Sequence, residues 1–203
     1  MKLDALPISA ARIREAVRRM GTQIVGDYAG GGAGGRPTEL TIVPILTGAY
    51  VLAADLVREL RGPDGARPLD LTVRIEWLKA TSYRGGTSPG TLSLDASSLD
   101  PANVTGKHVL VVDDIIDSGR TLLEAYRILL ELRPESLRSL VLLDKPERRD
   151  RSLEVSADYV GFTIPDVFVV GYGLDFDGLF RHLPYVTTLD FETDRPVPFA
   201  VPD

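Results

Sequence analysis

The sequence predicts an α/β protein with a central, mostly parallel sheet flanked by helices. Three observations carry that prediction. Nearly continuous apolar runs from Leu40 to Leu46, His108 to Val112 and Ser139 to Leu143 are what strands covered on both faces require. Between the last two runs, Leu122, Leu123, Tyr126, Leu129 and Leu130 fall on one helical face, so this stretch reads as a right-handed strand–helix–strand crossover. The first run has the same grammar: Thr47-Gly48 turns the chain into an apolar helix from about Ala49 to Leu60.

The remaining elements follow in chain order. Ser9 can cap a helix whose apolar residues Ile13, Ala16, Val17 and Met20 recur at helical spacing, with Gly21 as its stop. The glycine-rich run Gly30 to Gly35 lacks the Lys-Ser/Thr ending of a P-loop and reads as a flexible, solvated insertion. Leu71, Val73, Ile75 and Trp77 alternate with Thr72, Arg74 and Glu76, a strand with one buried face. The turn formers from Thr81 to Gly90 predict a long mobile loop of the kind that serves as a lid. Val167 to Tyr172 reads as a further buried strand, and the Pro-rich tail after Asp190 as peripheral. There is no internal repeat, and 203 residues fit one domain with its core at about residues 9–191.

Composition narrows the class of partner. A net charge of −6 and a pI near 5.0 are the opposite of a nucleic-acid-binding footprint, so any phosphate held here belongs to a small molecule. Without cysteine there is neither a disulfide nor a thiolate metal site, and His108 and His182 have no metal-ligand spacing. The N-terminus lacks the apolar core of a signal peptide, and no apolar run approaches the roughly 20 residues needed to span a bilayer. A cytoplasmic protein with no membrane or nucleic-acid partner is expected.

The chemistry concentrates between Val109 and Thr121. Asp113-Asp114 stands at the carboxyl end of a strand, where open α/β sheets bind ligands. Ser118, Gly119, Arg120 and Thr121 then form the turn and the start of the next helix. Free N–H groups at a helix start, two hydroxyls and a glycine make an anion site. The two acids would repel a phosphate set directly on them and suit sugar hydroxyls or a magnesium ion. The spacing therefore separates a diol end from a phosphate end.

This stretch resembles the 5-phosphoribosyl-1-diphosphate (PRPP) signature of type I phosphoribosyltransferases. Leu143-Asp144-Lys145, Tyr159-Val160-Gly161-Phe162 and the run from Ile164 through Asp175 to Phe180-Arg181 and Leu183-Pro184 resemble the hypoxanthine–guanine branch of that family. The resemblance implies a parallel core with a small hood built from terminal segments. It also implies transfer of phosphoribose from PRPP to N9 of a 6-oxopurine, with magnesium as cofactor and a homodimer or homotetramer as the assembly. By resemblance, Asp117 is the general base near N7, Asp113 and Asp114 take the ribose hydroxyls, and Ser118, Gly119, Arg120 and Thr121 take the 5′-phosphate. Thr47, Gly48 and Arg181 face the diphosphate. Ile115, Lys145, Phe168, Val169 and Asp175 face the purine: Lys145 donates to the 6-oxygen, Phe168 stacks and Val169 reads the base edge through its backbone. Asp113, Asp114 and Asp175 are the implied metal carboxylates, and Ser82-Tyr83 belongs to the mobile loop.

The chain departs from the family pattern in two places. Its first loop reads Leu46-Thr47-Gly48 where a lysine usually precedes the glycine, and its acid pair is Asp-Asp rather than Glu-Asp. The rival functions are a PRPP-fold regulator without turnover and a transferase preferring xanthine. Adenine is disfavoured, because a lysine can only donate and so selects a 6-oxo over a 6-amino group.

Overall fold

In the computed structural model, residues 4–30, 37–61, 71–82 and 92–197 are described. The chain begins with helix α1 (Ala10–Tyr28), then strand β1 (Thr38–Leu46) and helix α2 (Tyr50–Glu59). Three strands follow, β2 (Leu71–Ile75), β3 (Leu78–Ser82) and β4 (Leu92–Asp95). The second half contains β5 (His108–Ile116), α3 (Arg120–Glu131), β6 (Ser136–Asp144) and β7 (Tyr159–Thr163). The short strands β8 (Val169–Val170), β9 (Thr187–Asp190) and β10 (Arg195–Pro196) complete it.

The main sheet runs β4-β3-β1-β5-β6-β7, with β2 paired to the first part of β1. Every pairing is parallel except β3 with β4. Helices α1 and α2 bury Ile13, Met20, Ile24, Leu52 and Leu56 on one face of this sheet; α3 buries Leu122, Ala125 and Leu129 on the other. The mostly parallel sheet with covered faces is as predicted, and none of the described helices is long and apolar enough to cross a membrane. From β1 the chain moves outward to β2 and β3, and from β5 it moves the other way to β6. The two strands diverge at their carboxyl ends, which is where such sheets form a crevice. The β1–β5 ladder stops at Pro44 with Val112, but the β5–β6 ladder continues to Ile116 with Asp144. One side of β5 is thus left open at Asp113 and Asp114.

Several expectations are corrected. Helix α1 does not stop at Gly21 but runs to Tyr28. Gly21 is buried where α1 crosses α2, and a Cβ there would lie 2.9 Å from the Glu59 carbonyl oxygen. It serves close packing, not termination. Only Leu71–Ile75 of the next segment is strand, and Ile75 and Trp77 are exposed while Glu76 is buried. Its carboxylate accepts from the Asp100 N–H and the Asn103 amide, so hydrogen bonding overrides the hydrophobic alternation. Thr81 and Ser82 lie in β3, paired with β4, rather than in a loop. Tyr83 and the rest of that predicted loop, like residues 31–36 of the glycine-rich run, lie outside the described residues.

On α3, Leu123 and Leu130 are exposed; Ala125 joins Leu122 and Leu129 on the buried face. The strand predicted from Val167 to Tyr172 shrinks to Val169–Val170, with Phe168 exposed. The tail after Asp190 is paired as far as Pro196. Pro196 pairs with Leu189, and β8, β9 and β10 form a small antiparallel sheet. The N-terminal segment joins this hood through reciprocal Ile8–Val186 backbone bonds of 2.8 and 3.0 Å.

Candidate active site

A cavity of about 390 Å³ opens at the crevice between β1 and β5. Its floor is the end of β5. Asp113 and Asp114 are in the strand itself, not in the loop after it, because the β6 ladder carries β5 on to Ile116. Asp113 is buried and accepts a 3.0 Å bond from the Asp114 N–H. Burial first, then the neighbouring Asp114 charge, holds the Asp113 carboxyl well above the usual range. Burial also raises Asp114, with the Asp113 hydrogen bond and the Arg181 charge acting against it. Two crowded carboxyls of this kind call for hydroxyl donors or a cation.

The loop from Asp117 to the start of α3 forms one wall. Asp117, Ser118, Gly119 and Thr121 all line the cavity. Gly119 has φ +90°, and a Cβ there would stand 2.4 Å from Val155 Cγ1, so both conformation and space demand glycine. It is the residue before α3, whose first N–H groups are a natural anion site. Arg120 departs from expectation: its guanidinium points outward to Asp150, 3.0 Å away, and does not line the cavity. Its place at the first turn leaves only its backbone facing the loop. Ile115 is half-buried and Ile116 buried, and both line the cavity.

The opposite wall is the first loop and a turn from the hood. The Leu46–Thr47 peptide is cis. Thr47 is exposed and Gly48 half-buried. A Cβ on Gly48 would lie 1.9 Å from Asp114 Oδ2, and one on Gly173 would lie 2.2 Å from the Gly48 carbonyl oxygen. Three distant segments therefore meet with no room for a side chain. Arg181 spans this junction, donating to the Gly173 carbonyl at 2.5 Å and pairing with Asp175 Oδ1 at 2.6 Å. The other Asp175 oxygen accepts from the Gly178 N–H.

Lys145, Phe168 and Val169 lie outside this lining. Lys145 follows β6 and is buried; burial pushes its ammonium down, while Asp117 and Asp166 pull it up. Phe168 stands on the hood, with ring centroids 5.8 Å from Phe176 and 5.5 Å from Phe191 in edge-on geometry. Val169 is buried in β8. Sequence reasoning missed Arg148, whose Nε lies 3.2 Å from Asp117 Oδ1 and 3.7 Å from Asp166 Oδ1. It also missed Arg149, which bonds the Asp117 carbonyl and the Asp144 carboxylate. The signal was the Arg148-Arg149 doublet just after Lys145. Among the described residues, no three His, Cys, Asp or Glu side chains gather into a metal cage.

Crowded carboxyls at a strand end beside an anion-binding helix start define a phosphosugar-binding enzyme of the open α/β class. The phosphoribosyl transferase domain model matches residues 9–177. The hypoxanthine phosphoribosyltransferase of Salmonella typhimurium is 39% identical over 179 residues, 88% of this chain and 91% of that one. The hypoxanthine-guanine phosphoribosyltransferase of Streptococcus pneumoniae is 37% identical over 186 residues, covering 91% and 92%. Among solved structures, hypoxanthine phosphoribosyl transferase of Trypanosoma cruzi aligns with a TM-score of 0.77 at 35% identity, covering 94% of this chain and 93% of that one. The chain belongs to the phosphoribosyltransferase family, in its hypoxanthine–guanine branch, and is a pentosyltransferase.

Proposed function

We propose that this enzyme transfers the 5-phosphoribosyl group of PRPP to N9 of a 6-oxopurine, hypoxanthine or guanine, releasing pyrophosphate. The observation that carries this reading is one cavity holding the acid pair, the anion loop and Asp117 together. The reaction at the anomeric carbon passes through an oxocarbenium-like state, so the leaving diphosphate needs charge stabilisation and the base needs a proton acceptor.

In this reading Asp113 and Asp114 take the ribose hydroxyls, which suits oxygens already crowded and burial-raised. The loop N–H groups with Ser118 and Thr121 take the 5′-phosphate. Thr47, Gly48 and Arg181 face the diphosphate. Asp117 accepts the proton at N7, within reach of Arg148. Lys145 donates to the 6-oxygen; burial lowers its ammonium, with Asp117 and Asp166 acting against that. Phe168 stacks on the base and the Val169 backbone reads its edge.

Magnesium fits these residues. It keeps waters and substrate oxygens and needs few protein carboxylates, so Asp113, Asp114 and Asp175 on one cavity suffice without a cage. Bound there, it would neutralise diphosphate oxygens. The same resemblance leads us to propose a cytoplasmic homodimer or homotetramer.

Turnover with PRPP and magnesium against hypoxanthine, guanine, xanthine and adenine tests the proposal. Activity with the first two and none with adenine is expected; silence with every 6-oxopurine would sink it. Asp117→Asn should lower kcat by about 10²- to 10⁴-fold while PRPP binding holds. Equal losses in both would make Asp117 structural.

A further inference from the structure

The loop from Asp117 to Thr121 binds an anion only if its N–H groups face the cavity, and something has to hold them there. In a trans peptide unit the C=O and the next N–H point opposite ways, so a carbonyl anchored outside turns the following N–H inward. The successive carbonyls of Ile116, Asp117 and Ser118 are all anchored by one segment, residues 145–150. Ile116 accepts from the Lys145 N–H at 3.0 Å, and Ser118 from the Asp150 N–H at 3.1 Å. Between them Asp117 accepts from Arg149 Nη1 at 3.2 Å. The middle anchor alone is a side chain.

That side chain is itself held. Arg149 Nη2 pairs with the Asp144 carboxylate, and the two side chains are only 15% and 20% exposed. Arg149 Cδ packs 3.4 Å from where a Cβ of Gly119 would stand. Arg149 does not line the cavity.

We propose that Arg149 is a positioning residue for PRPP: by fixing the Asp117 peptide from behind, it aims the Ser118 N–H at the 5′-phosphate. The inference rests on the phosphoribosyltransferase reading above. Since Lys145 belongs to the same anchoring segment, the phosphate loop and the base-reading lysine are one framework, joined at the Ile116 carbonyl.

Steady-state kinetics with each substrate varied test this in wild type, Arg149→Gln, Arg149→Lys and Asp144→Asn. Arg149→Gln should raise the KM for PRPP at least about tenfold, the loss expected for a charged hydrogen bond, and move the KM for the base less than about twofold. Asp144→Asn should shift the KM for PRPP the same way but less, because Arg149 keeps its bond to Asp117. Should Arg149→Gln not fold, Arg149→Lys carries the test: it reaches one acceptor, not both, so its KM for PRPP should still rise. A KM for PRPP within about twofold of wild type, or equal rises for both substrates, would overturn the inference. Wild type inert with every 6-oxopurine would sink the substrate reading instead. PRPP binding by calorimetry would then decide here: weaker in Arg149→Gln supports the role, and equal affinity refutes it.

Discussion

The two halves of the site are built differently. The main-sheet half is β5 with its loop, tied down by the β6 ladder and by residues 145–150, and the first loop after β1, whose Gly48 is enclosed between Asp114 and Gly173. The hood half presents Phe168, Phe176 and Phe191 as a cluster whose outer members are 41% and 61% exposed. On the proposed function, the first half meets a ligand's charges with fixed dipoles. The second offers flat apolar surface that a planar base can cover. The lesson is that positional precision is concentrated where charge develops, and tolerance where stacking suffices.

The sharpest way to break that contrast is Gly48→Ala. Its methyl would be forced onto the Asp114 carboxylate, so kcat/KM should fall on the order of 10²-fold, with the KM for PRPP rising most. A variant with ordinary kinetics would mean the first loop yields freely, and the main-sheet half would not be the rigid one. On the hood, Phe191→Ala removes one edge contact to Phe168. Base binding should weaken only about threefold to tenfold, with the KM for PRPP unmoved. A hundredfold loss would erase the distinction between the halves.

The smallest effect concerns the tie between them. Tyr172 in the hood donates a 2.7 Å hydrogen bond to Asp55 on α2, and burial followed by that bond raises its phenol. Burial likewise pushes Tyr126, on α3, up to about 12. These folded values lie above the ordinary tyrosine value of about 10. Their stabilising contribution is therefore complete below pH of about 10 and is lost as pH rises through the folded values. The melting temperature should hold up to about pH 10 and fall as pH rises from there towards about 12, and Tyr172→Phe should flatten that slope.

Much of this was legible in the sequence, for physical reasons. Strands buried on both faces are apolar runs, so β1, β5 and β6 were visible, and a Ser-Gly-x-Thr turn after β5 pointed to what is a wall of the cavity. What escaped depended on contacts across the fold. Gly21 reads as a helix stop because its reason, the backbone of Glu59, is far away in sequence. Glu76 reads as outward-facing because Asn103 and Asp100, which satisfy it, are not its neighbours in the chain. Ile75 and Trp77 then turn outward, against their hydrophobicity. Arg120 sits inside the signature yet reaches away to Asp150, while Arg148 and Arg149 sit outside it and touch Asp117. Periodicity tells which face a residue occupies; it does not tell what a long, flexible side chain finds there.

The first loop holds one more consequence. Thr47 is exposed at the rim of the cavity, and its neighbour Gly48 is enclosed between Asp114 and Gly173. The path of the loop is therefore set from position 48, leaving the side chain at 47 free of it. Because the chain contains no cysteine, Thr47→Cys would create a unique thiol at that rim. A dye attached there would sit at the rim of the cavity, making the place of departure from the family pattern an address for testing whether ligands arrive there.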